Sequence, residues 1–240
     1  MELYIKDNKE AVNNEVSSLI IDLVKKNKNA ILGLATGSTP IGVYNELALD
    51  YKNNKTDYSN VKTVNLDEYI NLPKEHSQSY YSFMNQNLFS KINIKKENTF
   101  LPNGNGENHL ESCSEYELIL KNHKPDIQIL GIGSNGHIGF NEPGTSFDST
   151  THIVELKEST RLDNARFFNS LDEVPTHSIT MGIKSILQAK TIVLIAFGKN
   201  KADAVYKMIK GPITDDCPAS ILQTHPNVKI FLDKEAASLL

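Results

Sequence analysis

His137 and Glu142 close the stretch DIQILGIGSNGHIGFNEPG, which runs from Asp126 to Gly144. An imidazole titrates near neutrality and a nearby carboxylate can orient or charge it, so the pair can hand protons to and from a ligand. Asp126–Leu130 reads as a short buried strand. Gly131, Gly133 and Gly136 then let the backbone turn sharply and come close to a ligand. Asn135 and Asn141 add polar groups to the turn, and Pro143 with Gly144 stops any regular element. The glycines also spell G-x-G-x-x-G. A dinucleotide site needs a helix to open at the third glycine and meet the pyrophosphate, and the HIGFNEPG after Gly136 cannot make a long helix. The bland reading, a glycine turn with a satisfied core histidine, is the default for His137 by itself; the polar neighbours argue for a site.

Other strand ends offer partners. ILGLA is followed by Thr36-Gly37-Ser38-Thr39-Pro40, a small polar loop entering a helix with proline at its first position. Backbone N–H groups, the helix dipole and hydroxyls could cradle a phosphate there, or the loop could be an ordinary Ser/Thr cap. After Val61–Leu66 comes Asp67-Glu68-Tyr69, where a carboxylate is either a base or a helix-capping or surface group. Lys201 follows the strand Thr191–Phe197 at a helix start, where a cation is unfavourable unless an anion sits beside it. It reads as a phosphate ligand or as a solvated lysine. Arg166, in RLDNARFF, offers a planar fork to phosphate or a structural ion pair.

The elements that must position these groups alternate along the chain. Strand-like runs are Leu3–Ile5, Ala30–Ala35, Val61–Leu66, Ile127–Gly131, Ile153–Leu156, Ser178–Met181, Thr191–Phe197 and Val228–Leu232. Helical patterns fall at Asn8–Lys26, Pro40–Asp50, Ser79–Phe89, Glu107–Asn122, Leu162–Asn169, Ile183–Gln188 and Asn200–Ile209. Several strands are continuously apolar, as strands covered on both faces are. The order predicts a layered α/β fold: one domain over residues 1–240, with a mostly parallel sheet flanked by helices. In such sheets ligands bind beyond the carboxyl ends of the strands.

The 240 residues are 39% hydrophobic, enough for a full core. A net charge of -4 gives no general attraction to nucleic acid or anionic membrane. Cys113 and Cys217 stand far apart in no metal-ligand spacing, which suits packing roles in a reducing compartment. The N-terminus lacks an apolar signal core and no apolar run could span a bilayer, so a cytoplasmic protein is expected.

The blocks LGLATGSTPIGVY, NLDEYINLPKEHSQSYYSFM, LPNGNG, GIGSNGHIGFNEPG, STRLDNARFF and GKNKADAV resemble, in order and over nearly the whole chain, those of the glucosamine-6-phosphate deaminase (isomerase) family. The resemblance implies a single-domain modified doubly wound (Rossmann-like) α/β fold and conversion of glucosamine 6-phosphate and water to fructose 6-phosphate and ammonia, with no redox cofactor and no catalytic metal. It implies Asp67 as the base that moves a proton from C2 to C1, His137 as the ring-opening acid and base, and Glu142 as its orienting carboxylate. Thr36, Gly37, Ser38, Thr39, Arg166 and Lys201 would hold the 6-phosphate. Asn135 departs from the best-known members, many of which carry aspartate there; an amide hydrogen-bonds but takes up no proton.

Two alternative functions compete with this one. The 6-phosphogluconolactonases share a fold and a glycine-turn GH motif with this family, but the NEPG continuation and the LDEY aspartate favour the deaminase. A sugar-phosphate-sensing effector domain would need a DNA-binding module, and no basic helix-turn-helix segment is spare. Allosteric members of the family hold N-acetylglucosamine 6-phosphate partly through an arginine and a lysine after the NEP motif. Those positions fall on His152 and Val154, followed by Glu155, and the chain ends at Leu240 soon after its last strand. The resemblance therefore implies a short, non-allosteric type, as a monomer or small homo-oligomer.

Overall fold

A computed structural model of the protein describes residues 1–157, 161–162, 165, 168 and 170–240. Strand β1 (Glu2–Lys6) leads into helix α1 (Lys9–Lys26), where Asn8 caps the start by accepting from the Ala11 N–H at 2.9 Å. Val12, Val16, Ile20 and Val24 recur at helical spacing and are all buried. β2 (Ile31–Leu34), α2 (Ile41–Asn54), β3 (Lys62–Asn65), β4 (Asp67–Tyr69), α3 (Tyr80–Asn87), β5 (Thr99–Phe100), α4 (His109–Asn122) and β6 (Ile127–Leu130) follow. The chain continues through β7 (His152–Glu155), β8 (His177–Thr180), α5 (Ile183–Ile186), β9 (Thr191–Ala196), α6 (Ala202–Lys210) and β10 (Val228–Asp233).

Seven strands form one sheet in the order β1-β10-β9-β6-β2-β3-β5, with every pairing parallel. Ile192, Val193, Leu194 and Ile195 of β9 are each 0% exposed, so both faces of that strand are covered. The doubly wound parallel fold expected from the sequence is borne out. Its switch point lies between β2 and β6, because β3 and β5 extend the sheet on one side of β2 and β6, β9 and β10 on the other. Asp126 ties these central strands together: one oxygen accepts from the Ile31 N–H at 2.9 Å and the other pairs with Lys190 at 2.7 Å.

The sequence expectation needs correction in three places. Ile153–Leu156 and Ser178–Met181 form strands, as expected, but β7 and β8 lie in a separate antiparallel sheet of order β4-β8-β7. Their polar residues, as in HIVE and HSIT, contrast with the unbroken apolar run of β9. Second, β4 and β5 went unseen, being too short at three and two residues to show a period. Third, α2 begins at Ile41, with Pro40 at the cap position and not inside the helix. The expected helix Leu162–Asn169 falls mostly outside the described residues.

Candidate active site

The chain leaves the large sheet at Leu66 and joins the small one at Asp67. Leu66 donates its N–H to Leu34 O at 3.2 Å and accepts from the Met181 N–H at 2.7 Å, while Asp67 pairs with Thr180 across the small sheet. Asp67 is thus held at the junction of the two sheets and is buried. Burial first, and then the adjacent Glu68 carboxylate, push its pKa up to about 8. Glu68 fulfils the capping role that the sequence left open for this pair. Its Oε1 accepts from the N–H groups of Tyr69 and Tyr80 and its Oε2 from that of Tyr81, each at 2.9 Å, which closes the N-terminus of α3. Burial raises the Glu68 pKa despite these three donors.

Gly133 gives His137 its room: a Cβ there would lie 2.3 Å from the imidazole. Gly136, at φ 88, lets the turn close over Cys217, whose Sγ would be 2.6 Å from an added Cβ. The side-chain oxygen of Asn135 accepts from the His137 backbone N–H at 3.2 Å, which leaves its Nδ2 to donate to Glu142 Oε2 at 2.7 Å. The other Glu142 oxygen, Oε1, stands 3.5 Å from His137 Nδ1, near enough for Coulombic attraction but without a formed hydrogen bond. Burial lowers the His137 pKa; Glu142 opposes this, and Lys201 and Lys157 add to it. The imidazole is therefore biased towards its neutral form. Asn141 has a structural task, donating to Ile138 O at 2.9 Å and Met181 O at 2.8 Å.

A cleft of about 560 Å³ opens at the switch point, within the roughly 300–1,000 Å³ common for small-molecule sites. Its lining brings together Thr36, Gly37, Ser38, Thr39, Asp67, His137 and Lys201. Tyr44 fixes the entrance of the Thr36 loop, its hydroxyl donating to Ala35 O at 2.6 Å and accepting from the Ala35 N–H at 3.2 Å. Helix α2 starts without a side-chain cap, so a capping role does not account for the loop's hydroxyls. Asn135 and Glu142 stand behind His137 and outside the lining, and Arg166 lies outside the described residues.

Sequence reasoning missed part of the site. Tyr69, Tyr80 and Phe140 build an aromatic wall, with ring centroids 4.6 Å apart for the two tyrosines and 6.3 Å for Tyr80 and Phe140. Alternation along β4 would have turned Asp67 and Tyr69 to one face, had so short a strand been visible. Lys157, which pairs with Glu142 at 3.1 Å, carried no sequence signal. Among the described residues, no cluster of three or more His, Cys, Asp or Glu could hold a metal ion, and no helix is long and apolar enough to cross a membrane.

A doubly wound sheet with an acid–base cleft at its switch point defines a class of small-molecule α/β enzymes. The chain belongs to the family of glucosamine-6-phosphate isomerases and 6-phosphogluconolactonases, whose model matches residues 6–231. It is 52% identical to a glucosamine-6-phosphate deaminase of Clostridium botulinum over 100% of this chain and 97% of the relative. It is likewise 52% identical to a deaminase of Thermoanaerobacter pseudethanolicus, over 100% of this chain and 95% of the other. Among solved structures, a monomeric glucosamine-6-phosphate deaminase superposes with TM-score 0.97 at 44% identity, covering 100% of both chains. A 6-phosphogluconolactonase of Trypanosoma brucei shares the fold at TM-score 0.80 and 18% identity, over 100% of this chain and 98% of its own.

Proposed function

We propose that this enzyme converts glucosamine 6-phosphate and water to fructose 6-phosphate and ammonia. One observation carries the reading: a buried carboxylate, a neutral-biased imidazole and, in the same cleft, a lysine with a hydroxyl-rich loop. In the proposed sequence the neutral His137 imidazole takes the C1 hydroxyl proton and delivers it to the ring oxygen, so the C1–O5 bond breaks and the pyranose opens to the aldehyde. Asp67 takes the C2 proton to give an enolamine and returns it to C1. Water then adds to the resulting C2 imine, and ammonia leaves.

In the free enzyme Asp67 holds its proton near neutrality; the cationic amine on C2, once bound beside it, favours the carboxylate that the reaction needs. Lys201, Arg166 and the Thr36–Thr39 loop anchor the phosphate, so remote binding energy positions C1 and C2. The deaminase identities support this assignment over lactone hydrolysis. We also place the enzyme in the cytoplasm, in amino-sugar catabolism supplied by N-acetylglucosamine, without a nucleic-acid or membrane partner. Incubation with glucosamine 6-phosphate is expected to release ammonia and fructose 6-phosphate in equal amounts; hydrolysis of 6-phosphogluconolactone with no ammonia released would overturn the reading.

Lys201→Ala and Arg166→Ala are each expected to weaken phosphorylated substrate by about 1.5–3 kcal/mol, the scale of a charge-assisted hydrogen bond. Comparison with unphosphorylated glucosamine, whose turnover should hardly change, checks this. Equal losses on both sugars would make the residues structural.

Regulation supplies a further expectation. His152 donates from Nδ1 to Thr150 O at 2.8 Å, Val154 packs on the aromatic cluster, and Glu155 is exposed. A strand edge of histidine, valine and glutamate makes a poor phosphate site. Initial rates should be hyperbolic in substrate and unchanged by N-acetylglucosamine 6-phosphate. A sigmoidal curve that this effector straightens would contradict the reading.

A further inference from the structure

Glu142 is gripped on one side only. Its Oε2 accepts from Asn135 Nδ2 at 2.7 Å and pairs with Lys157 Nζ at 3.1 Å, leaving Oε1 as the oxygen that faces His137 Nδ1. Asn135 has no freedom to exchange its amide ends, because its oxygen already accepts from the His137 N–H. Lys157 is also fixed at its base. It follows β7, next to Leu156, which is buried in the aromatic cluster and donates its N–H to Thr176 O at 2.8 Å. The carboxylate is 12% exposed and the lysine 48%, so the lysine covers the outer side of a largely shielded anion.

We propose that Lys157 is a positioning residue: with Asn135 it clamps Oε2 of Glu142, so that Oε1 stays aimed at His137 Nδ1, and its charge offsets the carboxylate's. The proposal rests on the reading of His137 as the acid and base of ring opening. A carboxylate alone, 3.5 Å from an imidazole, would favour the imidazolium and so deplete the base form. Among the described residues, the charged groups that bear on His137 are Glu142 on its own loop, Lys157 after β7 and Lys201 before α6. Lys201 lines the cleft and is committed to the substrate's phosphate in the proposed function, which leaves Lys157, among the described residues, as the cation that answers Glu142 with or without substrate.

The test is Lys157→Met in the full chain, since a half-exposed ion pair contributes little to folding and the variant should fold. The His137 ring, assigned by comparison with His137→Gln, is titrated by NMR, and kcat/KM for glucosamine 6-phosphate is measured against pH. We expect the His137 pKa to rise by about half a unit or more and the acid limb of the rate to move with it. At neutral pH kcat should fall about threefold to tenfold while KM stays within about twofold, because Lys157 does not touch the cleft. Lys157→Arg should restore both profiles. An unchanged His137 titration would overturn the proposal, as would a uniform loss at every pH that arginine does not rescue. A wild-type protein that releases no ammonia would overturn the deaminase reading alone, and the ring titration would still decide the linkage of Lys157 to His137.

Discussion

Replacing Asp67 with Asn is expected to lower turnover by about 10²-fold or more, the usual worth of a general base, while glucosamine 6-phosphate still binds. The amide keeps the side chain's size at the junction of the two sheets but cannot accept the C2 proton, so exchange of that proton with solvent should vanish as well. The same substitution should stabilise the fold. Asp67 has a pKa of about 8 in the folded chain against an ordinary 3.8, so the folded state binds its proton more tightly than the unfolded one. Stability is therefore lost as pH rises from about 4 towards about 8, and a neutral amide escapes that loss. At pH 8 Asp67→Asn should gain on the order of 1 kcal/mol or more over the wild type, seen as a Tm higher by about 2–4 °C per kcal/mol. At pH 4 the difference should disappear. Near-normal C2 exchange in the variant would mean that Asp67 is not the base, and a Tm gain that ignores pH would mean that it is not a strained buried charge.

Whether such residues are legible in a sequence depends on how local their cause is. His137 and Glu142 announced themselves because the glycines that make room for them are neighbours in the chain; Gly133 is a glycine because the imidazole occupies the space of its Cβ. The parallel sheet was legible for a similar reason, since runs such as TIVLIA carry burial on both faces within a few residues. Asp67 was legible as a carboxylate after a strand, yet its isolation was not. That comes from its pairing with Thr180, far along the chain, in a small sheet whose strands are short and polar. Glu68 and Lys157 show the same limit. One acts through backbone N–H groups of α3 and the other through a carboxylate on a different loop, and neither partner is marked by spacing.

For His137→Gln we expect a loss of about 10²–10⁴-fold on the cyclic substrate, the range for a positioned proton-transfer group. Glutamine offers hydrogen bonds of similar reach but exchanges no proton near neutrality, so it can bind the ring oxygen without opening the ring. The defect should therefore be confined to one step. An analogue lacking both the C4 and the C5 hydroxyl can close neither a furanose nor a pyranose and should be deaminated by the variant far closer to the wild-type rate. The pH profile should also lose its imidazole limb, while the limb set by Asp67 persists. Because burial and the lysines hold the His137 pKa below its usual value, the limb that disappears should lie on the acid side of the usual imidazole range. Equal losses on the cyclic and the ring-free substrates would place His137 in a later step, or in the packing of the loop, and would leave ring opening to another group in the cleft.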